Sequence, residues 1–237
     1  MKMCPKAFIF DVFGTIVDWR NGVATETQQW FETKGLDLDP FEFADAWRSK
    51  YQPAMERIRS GNRGYVPLDT LHLENLNELL NERNLDANFS EVEKSELNRA
   101  WEKLPPWSDS VPGLTALKKR AIIAPCSNGS IALMTRLAKF GKLPWDCIVG
   151  AEVAKNYKPH PQAYLGSVAA LGLVPAEVVM VAAHNDDLRA AREVGLKTAF
   201  IPRRIEHGEK QTSDLEPNAN WNYVIEKIDE LLKFPAT

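Results

Sequence analysis

The chain has 237 residues, of which 44% are hydrophobic and 26% are charged, and its formal net charge is −3. Such a composition is ordinary for a globular protein with one large domain, or with a core that carries a smaller inserted domain. The slight acidity argues against a nucleic-acid or anionic-membrane partner, and no apolar run approaches the roughly 18 residues of a membrane span. The first apolar stretch is too short for a signal peptide, so we expect a cytoplasmic protein.

Short apolar runs bounded by turn signals recur along the chain, and none of them alternates cleanly with polar residues. This pattern is typical of strands that are buried on both faces, as in a parallel sheet. The predicted strands cover residues 7–10, 120–126, 147–153, 177–183 and 198–203. Helices are predicted between them at about 130–140, 160–171 and 187–194. The alternation predicts an α/β fold with a doubly wound, mainly parallel sheet and a Rossmann-like core.

Residues 18–104 have a different character, because they are polar, helical in pattern and poor in strand signals. Four helices separated by Pro, Gly or Asn are predicted there. We interpret the segment as an all-α helical cap inserted after the first strand, with residues 1–17 and 105–237 forming the core. The "PPW" stretch at 105–107 marks the return to the core.

The three cysteines, Cys4, Cys126 and Cys147, are scattered through the chain without a CxxC spacing. Neither a disulfide framework nor a zinc site is expected from them, and reduced thiols in the core or at the surface are the simpler interpretation.

Polar side chains follow the predicted strands at the points where those strands end. Because the carboxyl ends of parallel strands meet at one edge of the sheet, these residues are candidates for one site. They are Asp11 and Thr15 after the first strand, Ser127 and Asn128 after the second, Lys158 and Tyr164 after the third, and His184, Asp186 and Asp187 after the fourth. Each residue alone has an ordinary structural role as a turn former, helix cap or solvated charge. Their joint occurrence favours a site.

Four short motifs, "DVFGT", "SNGS", "YKPHPQAY" and "DDLRAAREVG", resemble in order and spacing the motifs of the haloacid dehalogenase superfamily. The resemblance covers the whole core, and the predicted cap lies where one branch of the superfamily places its own. By this resemblance Asp11 is the catalytic nucleophile.

The same resemblance implies roles for the other matched residues. Thr15, Ser127 and Asn128 position the nucleophile or bind the anionic group of the substrate. Lys158 balances the charge of the nucleophile, and Asp187 orients Lys158.

Two departures separate the chain from the superfamily's phosphatases, which resemble Asp-x-Asp-Gly-Thr in the first motif and Gly-Asp-Ser in the fourth. Phe13 stands where the second acid would protonate an alkoxide leaving group, and Ala183 stands where an acid would help to bind magnesium. Mg²⁺ prefers carboxylate ligands, and an alkoxide leaves poorly without a proton, whereas a halide leaves without one. We therefore predict displacement of a halide at carbon, with no metal and no cofactor.

An aromatic residue at position 13 resembles the type II 2-haloacid dehalogenases. In that branch the aspartate attacks C2 of a 2-haloalkanoate, and water then hydrolyses the ester intermediate. An arginine of the cap grips the substrate carboxylate there, and "DAWRSKY" offers Arg48, whose planar fork suits this task. The alternative for Arg48 is a solvated charge on a helix face.

The fourth motif also departs from the type II pattern, in which an Asn and an aromatic residue stand at the positions of His184 and Asp186. His184 is a candidate base for ester hydrolysis, because its ordinary pKa is close to neutral pH, and Asp18 is a candidate to orient it. The alternative is a histidine that bonds to the backbone at the end of a strand. His72 and His207 are expected at the surface.

The predicted function is hydrolytic dehalogenation of short 2-haloalkanoic acids to 2-hydroxy acids through an aspartyl ester. The predicted substrate-binding residues are Phe13, Arg48, Asn128 and Tyr164. Trp19, Trp47, Tyr51 and Trp107 either flank the cleft between cap and core or pack in the interior. The alternatives are a phosphatase with an atypical site and a non-catalytic binding protein on the same scaffold. The expected partner is a small-molecule halocarboxylate, and a homodimer is the oligomeric state considered.

Overall fold

The computed structural model describes residues 5–234. They form a single parallel sheet with helices around it. The strands are β1 (Ala7–Phe10), β2 (Ile122–Ser127), β3 (Val149–Gly150), β4 (Val178–Ala182), β5 (Lys197–Phe200) and β6 (Tyr223–Val224). Their order across the sheet is β3-β2-β1-β4-β5-β6, and every neighbouring pair is parallel. The predicted doubly wound α/β fold is confirmed.

The central strand β1 is buried on both faces, as its unbroken apolar sequence predicts. Phe8 and Phe10 point into one apolar cluster, and Ala7 and Ile9 point into a second cluster on the other face. Each of these four side chains is at most 1% exposed. Strand β1 therefore ends in a rigid, dry environment, and the residue that follows it is held at the carboxyl edge of the sheet.

The described residues form ten α-helices and several short 3₁₀ helices. The α-helices are α1 (Trp19–Lys34), α2 (Pro40–Ser49), α3 (Tyr51–Arg59), α4 (Leu68–Glu82), α5 (Glu91–Asn98), α6 (Ser110–Leu117), α7 (Ile131–Gly141), α8 (Ala151–Ala154), α9 (Pro161–Ala170) and α10 (Asn185–Glu193). The 3₁₀ helices are Asp86–Asn88, Arg99–Glu102, Pro175–Glu177 and Ile228–Lys233.

The chain between β1 and β2 carries α1 to α5. The sequence predicted four helices there, and that count was wrong because residues 40–61 form two helices, α2 and α3. Pro53 explains the break, since it lies in the first turn of α3, where its missing N–H costs no helical hydrogen bond. The chain leaves and re-enters the core side by side, and the Asp18 N–H donates to the Pro105 carbonyl at 2.8 Å. The division into a cap of residues 18–104 and a core stays a prediction.

The third predicted strand was too long. Strand β3 covers only Val149–Gly150, and the chain turns directly into α8. Gly150 has a φ of +122°, and a Cβ there would lie 2.3 Å from the Ser127 carbonyl oxygen, so only glycine allows this turn beside β2. Helix α6 and strand β6 were not predicted, and α10 begins at Asn185 rather than at residue 187.

Cys126 and Cys147 are free thiols, buried and exposed respectively, whereas Cys4 lies outside the described residues. Among residues 5–234, no helix is long and apolar enough to cross a membrane.

Candidate active site

The carboxyl edge of the sheet opens into a cavity of about 440 Å³ that also contacts the helices between β1 and β2. Most of the predicted site residues line it, namely Asp11, Phe13, Arg48, Asn128, Lys158, Tyr164, His184 and Asp187. Thr15 and Ser127 are completely buried and lie behind its wall. The expectation that polar residues after separate strands would meet at one edge is therefore met by the geometry.

Asp11 directly follows β1 and is held from three sides. Lys158 Nζ donates to its Oδ1 at 2.9 Å, and the Thr15 hydroxyl donates to its Oδ2 at 2.7 Å. His184 Nδ1 lies 3.3 Å from the same Oδ2. Burial alone disfavours the charged carboxylate, but the charge of Lys158 and the bonds from His184 and Thr15 hold the pKa of Asp11 far below its ordinary value. The carboxylate is thus ionised and oriented.

Lys158 is positioned by two further residues. Its Nζ donates to Asp187 Oδ2 at 2.5 Å, and its backbone N–H donates to the Asn128 side-chain oxygen at 2.8 Å. Burial alone would lower the pKa of Lys158, but the charges of Asp11 and Asp187 raise it above its ordinary value, so the ammonium group stays charged. The Tyr164 hydroxyl donates to the other oxygen of Asp187 at 2.5 Å. One ammonium group therefore balances two carboxylates.

Thr15 and Ser127 act on the backbone around the cavity rather than lining it. The Thr15 hydroxyl accepts the N–H of Ala183 at 2.9 Å while it donates to Asp11, which ties the end of β1 to the end of β4. The Ser127 hydroxyl accepts the N–H of Gly129 at 3.0 Å and so shapes the turn after β2. This turn places Asn128 against Lys158.

His184 bridges two carboxylates, Asp11 and Glu206, and of these Glu206 was not predicted from the sequence. Its Nδ1 faces Asp11, and its Nε2 lies 2.9 Å from Oε2 and 3.2 Å from Oε1 of Glu206. Glu206 follows β5 and is 1% exposed. Burial disfavours the charged ring, but the charge of Glu206 and the bond to Asp11 together raise the pKa of His184 well above its ordinary value. The His184 charge in turn holds the pKa of Glu206 below its ordinary value, against the effect of burial.

The candidate orienting residue Asp18 was the wrong carboxylate. Asp18 is the N-cap of α1, and its side chain accepts the backbone N–H of Asn21 at 3.0 Å. Glu206 takes the place beside His184 instead. The rule that found the other residues, that polar groups after strands meet at one edge, would also have found Glu206 had it been applied to the loop after β5.

Gly14 makes the approach of Glu206 possible. It has a φ of +88°, and a Cβ built on it would lie 2.0 Å from Oε1 of Glu206. Any larger residue would therefore displace the carboxylate that His184 contacts, in addition to straining the backbone.

Arg48 reaches the cavity from α2 and is surrounded by aromatic rings. Its guanidinium carbon lies 3.9 Å from the centre of the Tyr51 ring, 5.3 Å from that of Trp19 and 5.9 Å from that of Phe13. Among residues 5–234 it forms no ion pair, and its Nη1 is buried without a hydrogen-bond partner. The charge of Arg48 is thus held by aromatic faces and lacks an anion.

His72 was wrongly expected at the surface, since it is 1% exposed. Its ring stacks on Trp101 at a centroid distance of 4.2 Å and lies edge-on to Phe13 at 6.3 Å. Burial and the charge of Arg48 lower the pKa of His72 well below its ordinary value. His72 therefore adds a neutral ring behind Phe13 and brings no second charge to Arg48.

The four aromatic residues expected near the cleft have different positions. Tyr51 lines the cavity, whereas Trp19 and Trp47 are each 1% exposed and pack behind it. The Trp47 N–H donates to the His72 carbonyl, and the Trp107 N–H donates to the Gly14 carbonyl, both at 2.9 Å. Core packing is therefore the better description for Trp47, and the cleft description holds for Tyr51.

Two further residues that line the cavity, Gln52 and Arg59, were not predicted from the sequence. Arg59 Nη1 donates to the Lys158 carbonyl at 3.0 Å, and its Nη2 donates to Gln52 at 3.2 Å. These bonds join α3 to the loop that carries Lys158. Within residues 5–234, no cluster of three or more His, Cys, Asp or Glu side chains has an arrangement suited to a metal ion.

Comparison with known proteins agrees with this geometry. The model of the haloacid dehalogenase-like hydrolase family matches residues 5–195. The chain belongs to this family. A solved defluorinating L-2-haloacid dehalogenase is 49% identical, with a TM-score of 0.95 over 97% of this chain and 94% of its own. A second solved L-2-haloacid dehalogenase is 41% identical, with a TM-score of 0.93 over 97% of both chains.

A curated relative that is similar in sequence is also a 2-haloacid dehalogenase. It is the (S)-2-haloacid dehalogenase of Xanthobacter autotrophicus, which is 27% identical over 202 residues, or 84% of this chain and 75% of the relative. The two solved structures agree with this chain in fold over most of its length, and their names and that of this relative state the same class of activity.

Proposed function

We propose that this haloacid dehalogenase-like hydrolase converts short 2-haloalkanoic acids to 2-hydroxy acids through an ester on Asp11. The main support for this proposal is that Asp11 and Phe13 line the same cavity. Asp11 is an ionised carboxylate at the cavity, and Phe13 lines the same cavity at the position where a second acid would serve phosphoryl transfer. Dehalogenation of 2-haloacids is also the activity stated in the names of the similar proteins.

The first step needs no proton transfer from the protein. An oxygen of Asp11 attacks C2, the carbon–halogen bond breaks, and the halide leaves with the bonding electrons. Lys158 and Thr15 fix the carboxylate for this attack, and Asn128 and Tyr164 border the cavity beside it. Arg48 holds the substrate carboxylate, because it is a cation that borders the cavity without an anionic partner.

The second step needs a base, because water is a poor nucleophile until it loses a proton. Water attacks the ester carbonyl of Asp11, and its proton passes to His184. The bond between the carbonyl carbon and the ester oxygen then breaks, that oxygen takes the proton back from His184, and the 2-hydroxy acid leaves while Asp11 becomes a carboxylate again. Ester formation removes the charge of Asp11, which is one of the causes that raise the pKa of His184. Esterification therefore lowers the proton affinity of His184 and prepares the ring for this role, while Glu206 keeps it oriented.

The names of the relatives narrow the substrate that we propose. Two solved relatives are L-2-haloacid dehalogenases, and the curated relative is an (S)-2-haloacid dehalogenase. We therefore propose the same enantiomer for this chain. The absence of a required metal follows from Phe13 and Ala183 and is part of the proposal. A homodimer and a cytoplasmic location stay predictions.

Halide release over a panel of haloacids tests the proposal. The panel comprises (S)- and (R)-2-chloropropionate, monochloroacetate, monobromoacetate and fluoroacetate, each with and without EDTA, and an aryl phosphate is assayed for phosphate release. We expect halide release from the (S) enantiomer with EDTA present. Phosphate release that requires Mg²⁺, without halide release, would identify the atypical phosphatase, and no turnover of either class would favour the non-catalytic binding protein.

A further inference from the structure

Trp19 lies where the chain passes from the strands of the core to the helices between β1 and β2. It is the first residue of α1, and the preceding residues pair with the returning chain through a Val17–Pro106 bridge. Its side chain is 1% exposed and does not line the cavity. Trp19 is nevertheless in contact with residues on both walls of the cavity.

The edge of the indole ring contacts the core. The Trp19 N–H donates to Oε1 of Glu206 at 2.9 Å, and Glu206 contacts the His184 ring through both of its oxygens. Glu206 is almost completely buried, and among residues 5–234 three groups face its carboxylate: the indole N–H, His184, and His207, whose Nε2 lies 3.6 Å from Oε1. A buried carboxylate without this donor would rotate more freely and would act more strongly on His184.

The face of the same ring contacts the cap. The guanidinium carbon of Arg48 lies 5.3 Å from the centre of the Trp19 ring, and no carboxylate among residues 5–234 pairs with Arg48. A tryptophan face is the strongest of the aromatic partners for a cation. Trp19 also stacks on Trp101 at 6.3 Å, which holds the ring plane under the guanidinium group.

We propose that Trp19 is a positioning residue for both steps of the reaction, fixing Glu206 and His184 through its N–H and Arg48 through its face. Trp19 supplies both contacts, whereas phenylalanine has the face without the donor and leucine has neither. The kinetic consequences rest on the proposed function, whereas the effect on His184 in the free enzyme does not.

Two substitutions separate the contacts, and a third is the control. Trp19→Phe removes the N–H and keeps a ring face, Trp19→Leu removes both, and Trp30→Phe changes the other tryptophan of α1, which packs on Phe89 away from the cavity. For Trp19→Phe we expect roughly tenfold slower ester hydrolysis, with the ester visible by mass spectrometry, and KM within about twofold of wild type. For Trp19→Leu we expect the same slowing together with roughly tenfold higher KM. Trp30→Phe should match wild type.

A titration of the free enzyme by NMR tests the inference without turnover. The chain contains four histidines, so the His184 signal is identified by its loss in His184→Ala. In Trp19→Phe, His184 should titrate at higher pH than in wild type, because Glu206 loses a donor and holds the ring proton more strongly. If wild type releases no halide but this shift is present, the proposed function fails and the positioning role stands. An unchanged His184 titration in folded Trp19→Phe overturns the inference, and an unchanged KM in folded Trp19→Leu overturns its Arg48 part.

Discussion

The two walls of the cavity differ in whether their charged side chains have partners of opposite charge. The wall at the carboxyl edge of the sheet, called here the core wall, contains one continuous set of ion pairs and hydrogen bonds. This set joins Asp11, Lys158, Asp187, His184 and Glu206. On the wall formed by α2 and α3, Arg48 is surrounded by aromatic rings and has no acidic partner among residues 5–234. The charged groups of the core wall are thus paired with one another, whereas Arg48 on the opposite wall has no anionic partner.

This difference indicates what each wall does. A paired and oriented carboxylate can attack without reorganisation, which is the property that a nucleophile needs. A half-buried cation without a partner carries an uncompensated desolvation cost, and an anionic substrate would relieve it. The comparison predicts that changes on the core wall affect the chemical steps and that changes to Arg48 affect substrate binding.

The largest effect is expected on the core wall at Asp11. Asp11→Asn should lower halide release by roughly four orders of magnitude or more, because an amide cannot form the ester and loss of a covalent nucleophile has effects of this size. Halide release from (S)-2-chloropropionate measures it. The exposed Asp37→Asn is the control for the same change of charge, and equal activity of the two variants would contradict the nucleophilic role.

His184→Ala should break the reaction between its two steps. Attack by Asp11 needs no base, since the carboxylate is already ionised, whereas ester hydrolysis loses roughly 10²- to 10⁴-fold without one. The enzyme should then release about one halide per active site and stall, with the substrate acyl group attached at Asp11 in a peptide map. His160→Asn, which keeps a capping side chain at the start of α9, is the control. Free turnover of His184→Ala without ester would place the base elsewhere.

On the opposite wall, Arg48→Ala should raise KM roughly 10- to 100-fold, which corresponds to the loss of a charge-assisted bond to the substrate carboxylate. The rate of ester hydrolysis should change little, because His184 and Glu206 are untouched. Arg57→Ala removes an exposed arginine from the neighbouring helix α3 and controls for net charge. If both variants keep the wild-type KM, the unpaired cation of Arg48 does not bind the carboxylate.

The pH dependence of ester hydrolysis separates the contributions of Asp11 and Glu206 to the pKa of His184. The protonated ring cannot accept a proton, so hydrolysis should rise as pH increases through the pKa of His184 in the ester. Esterification removes the contribution of Asp11, and this pKa should therefore lie below that of His184 in the free enzyme. Glu206→Gln should move the hydrolysis midpoint to lower pH still. Single-turnover rates across pH measure it, and an ester midpoint above that of the free enzyme would contradict the role of Asp11.

The smallest effect is expected from chelation. With EDTA present, kcat and KM for (S)-2-chloropropionate should not change, because Phe13 and Ala183 stand where phosphatases of the superfamily carry catalytic and metal-binding acids. Strict dependence on Mg²⁺ would point instead to the atypical phosphatase.

The parts of the fold that the sequence revealed are those where a local pattern matches the final environment. Strand β1 was predicted with its observed bounds because an apolar run followed by Asp11 is a local signal. Strand β3 was overestimated because the apolar run continues past Gly150, and the positive φ that ends the strand depends on its contact with β2. The short edge strand β6 has only Tyr223–Val224 and carries no periodicity to detect.

The candidate site follows the same rule. Asp11 and Lys158 could be placed at one edge because each follows a predicted strand. Glu206 was missed because no polar residue was sought in the loop after β5, and because its approach to His184 beside Gly14 is a tertiary contact that no local pattern records. The carboxylate beside His184 could not be inferred from distance along the chain, because Asp18 is nearer to Asp11 in sequence and yet caps α1.

Isotope labelling in a single turnover distinguishes attack by Asp11 on the substrate carbon from direct attack by water. An excess of wild-type enzyme is mixed with (S)-2-chloropropionate in ¹⁸O-water, and both the protein and the product are analysed by mass spectrometry. If water attacks the carbonyl of an ester on Asp11, the label appears in the peptide that contains Asp11 and the product carries ordinary oxygen. Label in the product of the first turnover, with an unlabelled Asp11 peptide, would mean that water attacks the substrate carbon directly and would contradict the account.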